Sequence, residues 1–253
     1  MPLLRFTRNT RRRSWLLAGA AFVALSATAA HATSVTVDAN AAIYDAGNTS
    51  PIYGTLPPSI SLPAGTMSVT FGSITGSLAC ASPEGCVTIN GYGSLNDADG
   101  NYAAPSSSSD SGTSTISGIV APGGGYLVGL FVAGTVPSGP APSALDFTSI
   151  GTSFTALSPQ LDQTFFIGDG LTGDGTGTTQ VFNVPTGATT LYLGISDACG
   201  YNGGPGCYGD NNGSFAVPVT LHSGTAVPEP ASVALFGAGL IGLGFGSRRR
   251  SRR

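Results

Sequence analysis

From residue 33 to residue 224 apolar side chains recur in short runs at alternate positions, and no stretch sustains the three-to-four-residue spacing of an amphipathic helix. The clearest run puts Phe215, Val217, Val219 and Leu221 on one face and Ala216, Pro218 and Thr220 on the other. Leu191, Leu193 and Ile195 repeat that alternation. Residues 126–132 are apolar on both faces apart from Gly129, which reads as a central strand covered on two sides. With Gly, Pro, Asn and Asp marking the breaks, strands are predicted at 34–38, 66–71, 86–90, 113–120, 125–133, 163–167, 180–184, 189–195 and 214–221. That pattern predicts an all-β fold, a single antiparallel β-sandwich. Pro218 has no N–H to give a ladder, so the last strand is expected at an edge or on a bulge. Residues 101–112, with four consecutive serines, are expected to be a flexible loop, and 134–143 a Pro/Gly loop.

The pattern changes character at both ends. Arginines precede an apolar run at 15–30, and Ala30-His31-Ala32 supplies a small-x-small cleavage pattern, so 1–32 is expected to be a signal peptide removed on export. A membrane anchor is the rival, but the run is short for one. The Arg12-Arg13 pair leaves the general secretory and twin-arginine routes both open. At the other end, 225–253 has three parts in order: Val227-Pro228-Glu229-Pro230, an apolar glycine-rich segment 231–246, and an arginine tail 248–253. Such a segment reaches only about 24 Å as a helix, short of a roughly 30 Å hydrocarbon core. The three parts together resemble the PEP-CTERM sorting signal. The resemblance implies a short transmembrane sorting helix, transient membrane insertion through 231–246, processing by an exosortase, and a destination at the bacterial envelope, outer surface or extracellular matrix.

Charge narrows the chemistry of the middle. The 10 basic residues are all arginines, at 5–13 and 248–253, and the 13 acids lie between them. A body of residues 33–224 without one cation is not built for nucleic acid or for phosphorylated substrates. His222 is its single imidazole, and no nucleophile elbow is present, so the chain is not expected to be an enzyme. A paired-carboxylate glycosidase is the remaining catalytic reading, with no pair singled out by spacing. The four cysteines suggest two local disulfides, Cys80–Cys86 and Cys199–Cys207, in keeping with export. Zinc is the rival, without a nearby histidine or a two-to-four-residue spacing to support it.

Acidic, amide-rich loops in such a body suit a hard cation, calcium above all. The strongest stretch is 197–214, where Asp197, Asp210, Asn211 and Asn212 are concentrated among glycines between two strands. A plain Asx/Gly hairpin loop is the competing reading. Asn96-Asp97-Ala98-Asp99-Gly100-Asn101 looks like the start of an EF-hand loop but lacks its distal glutamate, and is expected to be a solvated turn. Gly168-Asp169-Gly170 and Gly173-Asp174-Gly175 are likewise expected to be turns.

Residues 184–221, with Cys207-Tyr208-Gly209-Asp210-Asn211-Asn212-Gly213-Ser214-Phe215 as their centre, resemble the C-terminal part of the small calcium-dependent galactose-binding bacterial lectins. The resemblance implies a metal held by Asp197, the Cys207 carbonyl, Asp210 and Asn211, with sugar hydroxyls completing its coordination. It places ligand contacts at Asp197, Asp210, Asn211 and Tyr208, with Tyr201 or Tyr208 offering an apolar face. The longer spacing from Asp197 to Cys207 and the missing sugar-contacting histidine and glutamine depart from those lectins. The expectation is an exported, exosortase-processed envelope or matrix protein with a calcium-dependent, carbohydrate-binding, lectin-like body. The alternative is a non-catalytic structural surface or biofilm matrix protein without specific sugar binding.

Overall fold

The computed structural model describes residues 30–80, 96–100 and 107–224. The predicted strand 86–90, Cys86, the membrane segment 231–246 and most of the signal segment therefore lie outside the described residues. Among the described residues no helix is long and apolar enough to cross a membrane.

The chain is all-β, with its strands distributed over four hydrogen-bonded sheets. The largest follows the order β1 (Ala30–Asp38), β16 (Asn211–Ser223), β3 (Thr66–Phe71), β13 (Val181–Asn183) and β9 (Ala156–Leu157), with β4 (Thr75–Cys80) also on β16. A second orders β10 (Thr164–Phe166), β7 (Leu127–Val132), β14 (Thr190–Ile195) and β2 (Ser59–Ser61). A third orders β15 (Asn202–Gly203), β5 (Ser108–Gly112), β6 (Ser117–Ala121) and β8 (Leu145–Asp146). The fourth is the ribbon of β11 (Leu171–Gly173) and β12 (Thr176–Thr179). Three of the pairings are parallel: β13 with β9, β15 with β5, and β6 with β8. A single helical turn, α1 (Phe147–Ile150), starts at Asp146, whose carboxylate accepts from Thr148 N at 2.9 Å.

The alternation in the sequence becomes the core. Phe215, Val217, Val219 and Leu221 of β16 are all buried, while β7 is buried along its whole length between β10 and β14. Gly129 interrupts that apolar run for a steric reason. A Cβ there would drive into the ring of Phe165 on β10. Phe165 in turn stacks on Phe131, with centroids 5.1 Å apart, and lies 5.3 Å from Phe182 of β13, so one aromatic cluster ties the six-stranded sheet to the second sheet. Burying each such ring contributes about 1.5–3 kcal/mol.

Three expectations are corrected. Residues 108–112, expected within a flexible loop, form β5, and 113–116, expected inside a strand, form the turn that joins β5 to β6. There Thr113 Oγ1 accepts from Ile116 N at 3.0 Å. Serine-rich composition hid a strand because one of its inward positions is an aspartate, Asp110, rather than an apolar residue. The last strand, finally, is neither an edge nor bulged at Pro218, since β1 pairs along one side of it and β3 and β4 along the other. Pro218 O accepts from Gly72 N at 2.9 Å. A strand residue's N and O point to the same side. The missing N–H of Pro218 therefore faces the junction where β3 has ended at Phe71 and β4 has not yet begun at Thr75.

Candidate functional site

The stretch between β14 and β16 is built by its disulfide. Cys199 and Cys207, eight positions apart, are bonded, as their spacing suggested; the short 3-10 turn Cys199–Tyr201 opens the closed loop and a second, Tyr208–Asp210, follows it. Gly206 N donates back to Asp197 O at 3.1 Å, and Ala198 bridges to Pro205. The return brings Asp197, at the end of β14, against Asn211, the first residue of β16. Asn211 Nδ2 donates to Asp197 Oδ2 at 2.9 Å and to Ala39 O at 3.3 Å.

Asn211 is only 7 % exposed, and its Oδ1 is buried without a hydrogen-bond partner. An orphaned oxygen of that kind costs about 1–3 kcal/mol unless something electropositive meets it. Burial, less the bond from Asn211, pushes the Asp197 carboxyl up to about 7, and the neighbouring Asp210 carboxylate adds to the rise. Two of the four predicted metal ligands thus touch, a third lies close enough to be felt electrostatically, and the donors are oxygens suited to calcium. The fourth, Cys207, sits in the left-handed region at φ 67°, and its carbonyl accepts from Asp210 N at 3.3 Å, so one of its lone pairs is already engaged.

Tyr208 is placed differently from the expectation. It is fully buried, its hydroxyl donates to Ile195 O at 2.9 Å and accepts from Asp197 N at 3.1 Å, and burial holds its pKa well above the ordinary value. Its ring has no face for a sugar; it is the post on which the loop is mounted. Tyr201, half-buried at φ 63°, lies over Gly124 instead, where a Cβ would meet its ring. It helps wall a polar cavity of about 10 Å³, room for a single water. Ser108, Asp110, Ser196 and Asp197 supply the polar lining. Ser196 Oγ donates to Asp110 Oδ2 at 3.2 Å, and Tyr44 and Tyr126 hydroxyls close the network on Ser196 and Ser108, each at 3.1 Å. Burial raises Asp110 to about 6 against the opposing bonds from Gly112 N and Ser196.

The two turns set aside in the sequence meet in space. Asp97, Asp99 and Asp174 bring one carboxylate oxygen each within 4.8 Å of one another. Asp99 Oδ1 accepts from Asp169 N at 2.9 Å, and Asp169 holds its own turn by accepting from Leu171 N at 2.8 Å and Gly175 N at 2.7 Å. Burial raises the Asp99 carboxyl to about 7, and burial with the Asp174 charge raises Asp97. Neither stretch signals this meeting in the sequence, where each reads as a separate turn. Asp45 was missed as well. Fully buried, it accepts from Asn48 Nδ2, Ile52 N and Tyr53 N at 3.0 Å and from Gly54 N at 3.1 Å, a purely structural use of a carboxylate.

Cys80 lies in β4, opposite Asn211 of β16, while its expected partner Cys86 is outside the described residues. The sorting residues Val227, Pro228, Glu229 and Pro230 are outside them too. Comparison with curated proteins returned no match, and neither did comparison with solved structures. Residues 226–250, however, match the PEP-CTERM protein-sorting motif. With that motif at its C-terminal end, the chain is an exported protein, processed by an exosortase and destined for the cell surface or the extracellular space.

Proposed function

We propose that the body is a calcium-dependent, carbohydrate-binding module with lectin-like, sandwich-type packing of its six-stranded sheet on the β10-β7-β14-β2 sheet, carried by an exosortase-processed protein of the envelope or matrix. Asp197, Asp210 and Asn211 hold the calcium, with the second lone pair of the Cys207 carbonyl as a further donor. Bound there, the ion supplies open coordination positions for vicinal sugar hydroxyls. The observation that carries the reading is the buried, unpartnered Asn211 Oδ1 beside the Asp197 carboxylate. The exposed rim of Cys207, Gly209 and Asn212 leaves an approach from solvent. Calorimetry of the protein against calcium, then against a glycan panel with and without chelator, tests it. Calcium binding followed by glycan binding that EGTA abolishes supports the proposal. Melting that is identical in chelator and in millimolar calcium overturns it.

The second reading, a structural surface protein whose calcium only stiffens a loop, draws on the burial of Tyr208 and Asn211, which leaves few side chains to recognise a ligand. Asp197→Ala separates the two. In the lectin, glycan retention and melting temperature fall together. In the structural protein only the melting temperature falls.

A further inference from the structure

β1 and β16 run antiparallel with Ala30 opposite His222 and Thr33 opposite Val219, so β1, whose first three residues still belong to the predicted signal segment 1–32, begins where the strand that leads to the sorting motif ends. Gly224 N donates to Gly65 O at 3.0 Å and closes that end of the sheet. The second sheet terminates at the same level: Leu62 N donates to Thr189 O at 2.8 Å, and Thr189 N to Val132 O at 2.9 Å. Only six residues, 225–230, separate Gly224 from the apolar segment at 231, a tether of at most about 25 Å. β16 itself spans 13 residues, about 40 Å. Asn211 and its loop therefore sit at the opposite pole from the exit.

The two poles differ in charge. Residues 61–68, 132–143, 184–190 and 218–224, which build or adjoin the exit end, contain no acid. Asp162, the carboxylate beside them, is buried and accepts from Ser138 N at 3.1 Å. The far pole holds Asp38, opposite Ser214, together with Asp197 and Asp210. Asp97 and Asp99 also belong there, since Leu127, the end of β7 opposite Ile195, donates to Ala98 O. Met67 and Val136 are exposed apolar side chains of the exit end, 63 % and 56 % accessible.

The geometry points to the exit end as a lipid-facing surface: before processing, the residues around Gly65, Met67 and Gly224 rest on the outer leaflet, and the acidic pole is held away from it. A short tether keeps this end near the bilayer, an acid-free surface is not repelled by anionic headgroups, and an acidic pole is. The inference rests on the sorting motif and the strand register, and is independent of whether calcium or glycan binds.

Residues 33–224 contain no tryptophan, which makes an introduced one a clean reporter. The full chain carrying Trp15→Phe is reconstituted in phosphatidylcholine vesicles, plain or with acyl chains brominated near the headgroup. Emission from Met67→Trp is expected to be quenched severalfold by the brominated lipid, and emission from Asn212→Trp to be unchanged. Ala64→Trp, at an exposed loop position, gives the same readout should Met67→Trp fail to fold. Equal quenching at the two poles, quenching at Asn212→Trp alone, or no quenching at either pole overturns the inference.

Discussion

Two acidic regions of this protein look alike in composition and differ in construction. In the first, Asp197, Asp210 and Asn211 lie within fifteen residues and are brought together by the disulfide and by Tyr208 beneath them. In the second, Asp97 and Asp99 come from one turn and Asp174 from another, more than seventy residues away, joined by the bond from Asp169 N to Asp99. The first contains a buried amide oxygen with no partner. The second gathers like charges, and burial first, with the neighbouring charges added to it, raises Asp97 and Asp99. A local loop advertises its site because its donors are neighbours in sequence. A site assembled by long-range pairing advertises only the turn chemistry of each half.

The largest expected difference between the regions follows from cutting the covalent brace. Cys199→Ser with Cys207→Ser should cost about 2–3 kcal/mol in the chain-entropy account of a loop this short. For a domain of this size that is about 5–10 °C in melting temperature. Calcium affinity at the first region should fall with it, which calorimetry beside thermal denaturation would show. Next in size is Asp197→Ala, which leaves Asn211 Nδ2 without its closer acceptor and should cost about 1–3 kcal/mol. If calcium titration of that variant keeps one binding event of unchanged affinity, the ion belongs to Asp97, Asp99 and Asp174, and the ranking of the two regions is reversed.

A smaller effect appears with pH. Asp99 and Asp110 are raised by burial to about 7 and about 6, above the ordinary carboxylate value near 4. Between about 4 and 7 the folded protein therefore holds more protons than the unfolded chain, and stability falls as pH rises through that window. In chelator, the melting temperature at pH 5 should exceed that at pH 7.5, and Asp99→Asn should flatten the slope. A melting temperature that climbs steadily from pH 5 to pH 7.5 would contradict this assignment. The smallest effect is Asp174→Asn. With one of three like charges neutralised, the melting temperature in chelator at pH 7.5 should rise slightly, and differential scanning fluorimetry is sensitive enough to register it.

Strands whose inward side chains are apolar were legible from the start: 66–71 and 214–221 emerge as β3 and β16 with the alternation intact, and 189–195 as β14, which is buried on both faces. Thr176–Thr179 was not, because β12 is exposed on both faces and carries no hydrophobic period. Nor was Thr75–Cys80, whose Gly76 takes φ 113° to pass close to Ser214 O, a backbone accommodation that composition does not announce. The loop 197–211 was legible down to its disulfide, while the hydrogen bond between Asp197 and Asn211 was not. The burial of Tyr208 was not, since a tyrosine between cysteine and glycine looks like a rim residue until the 3-10 turn rotates it inward.

The body's lack of lysine and arginine also reaches past folding. Among the described residues the buried carboxylates Asp45, Asp99, Asp110 and Asp162 accept from backbone amides, and Asp110 from the Ser196 hydroxyl as well, because no ammonium or guanidinium is there to meet them. The same lack removes every peptide bond that trypsin-like proteases cut between Arg13 and Arg248, and every side-chain amine that aldehydes or succinimidyl esters would modify. Outside the cell, the folded body should persist through tryptic digestion and aldehyde fixation that dismantle or cross-link its neighbours. Its detection by mass spectrometry calls for a protease that cleaves at aspartate or at aromatic residues.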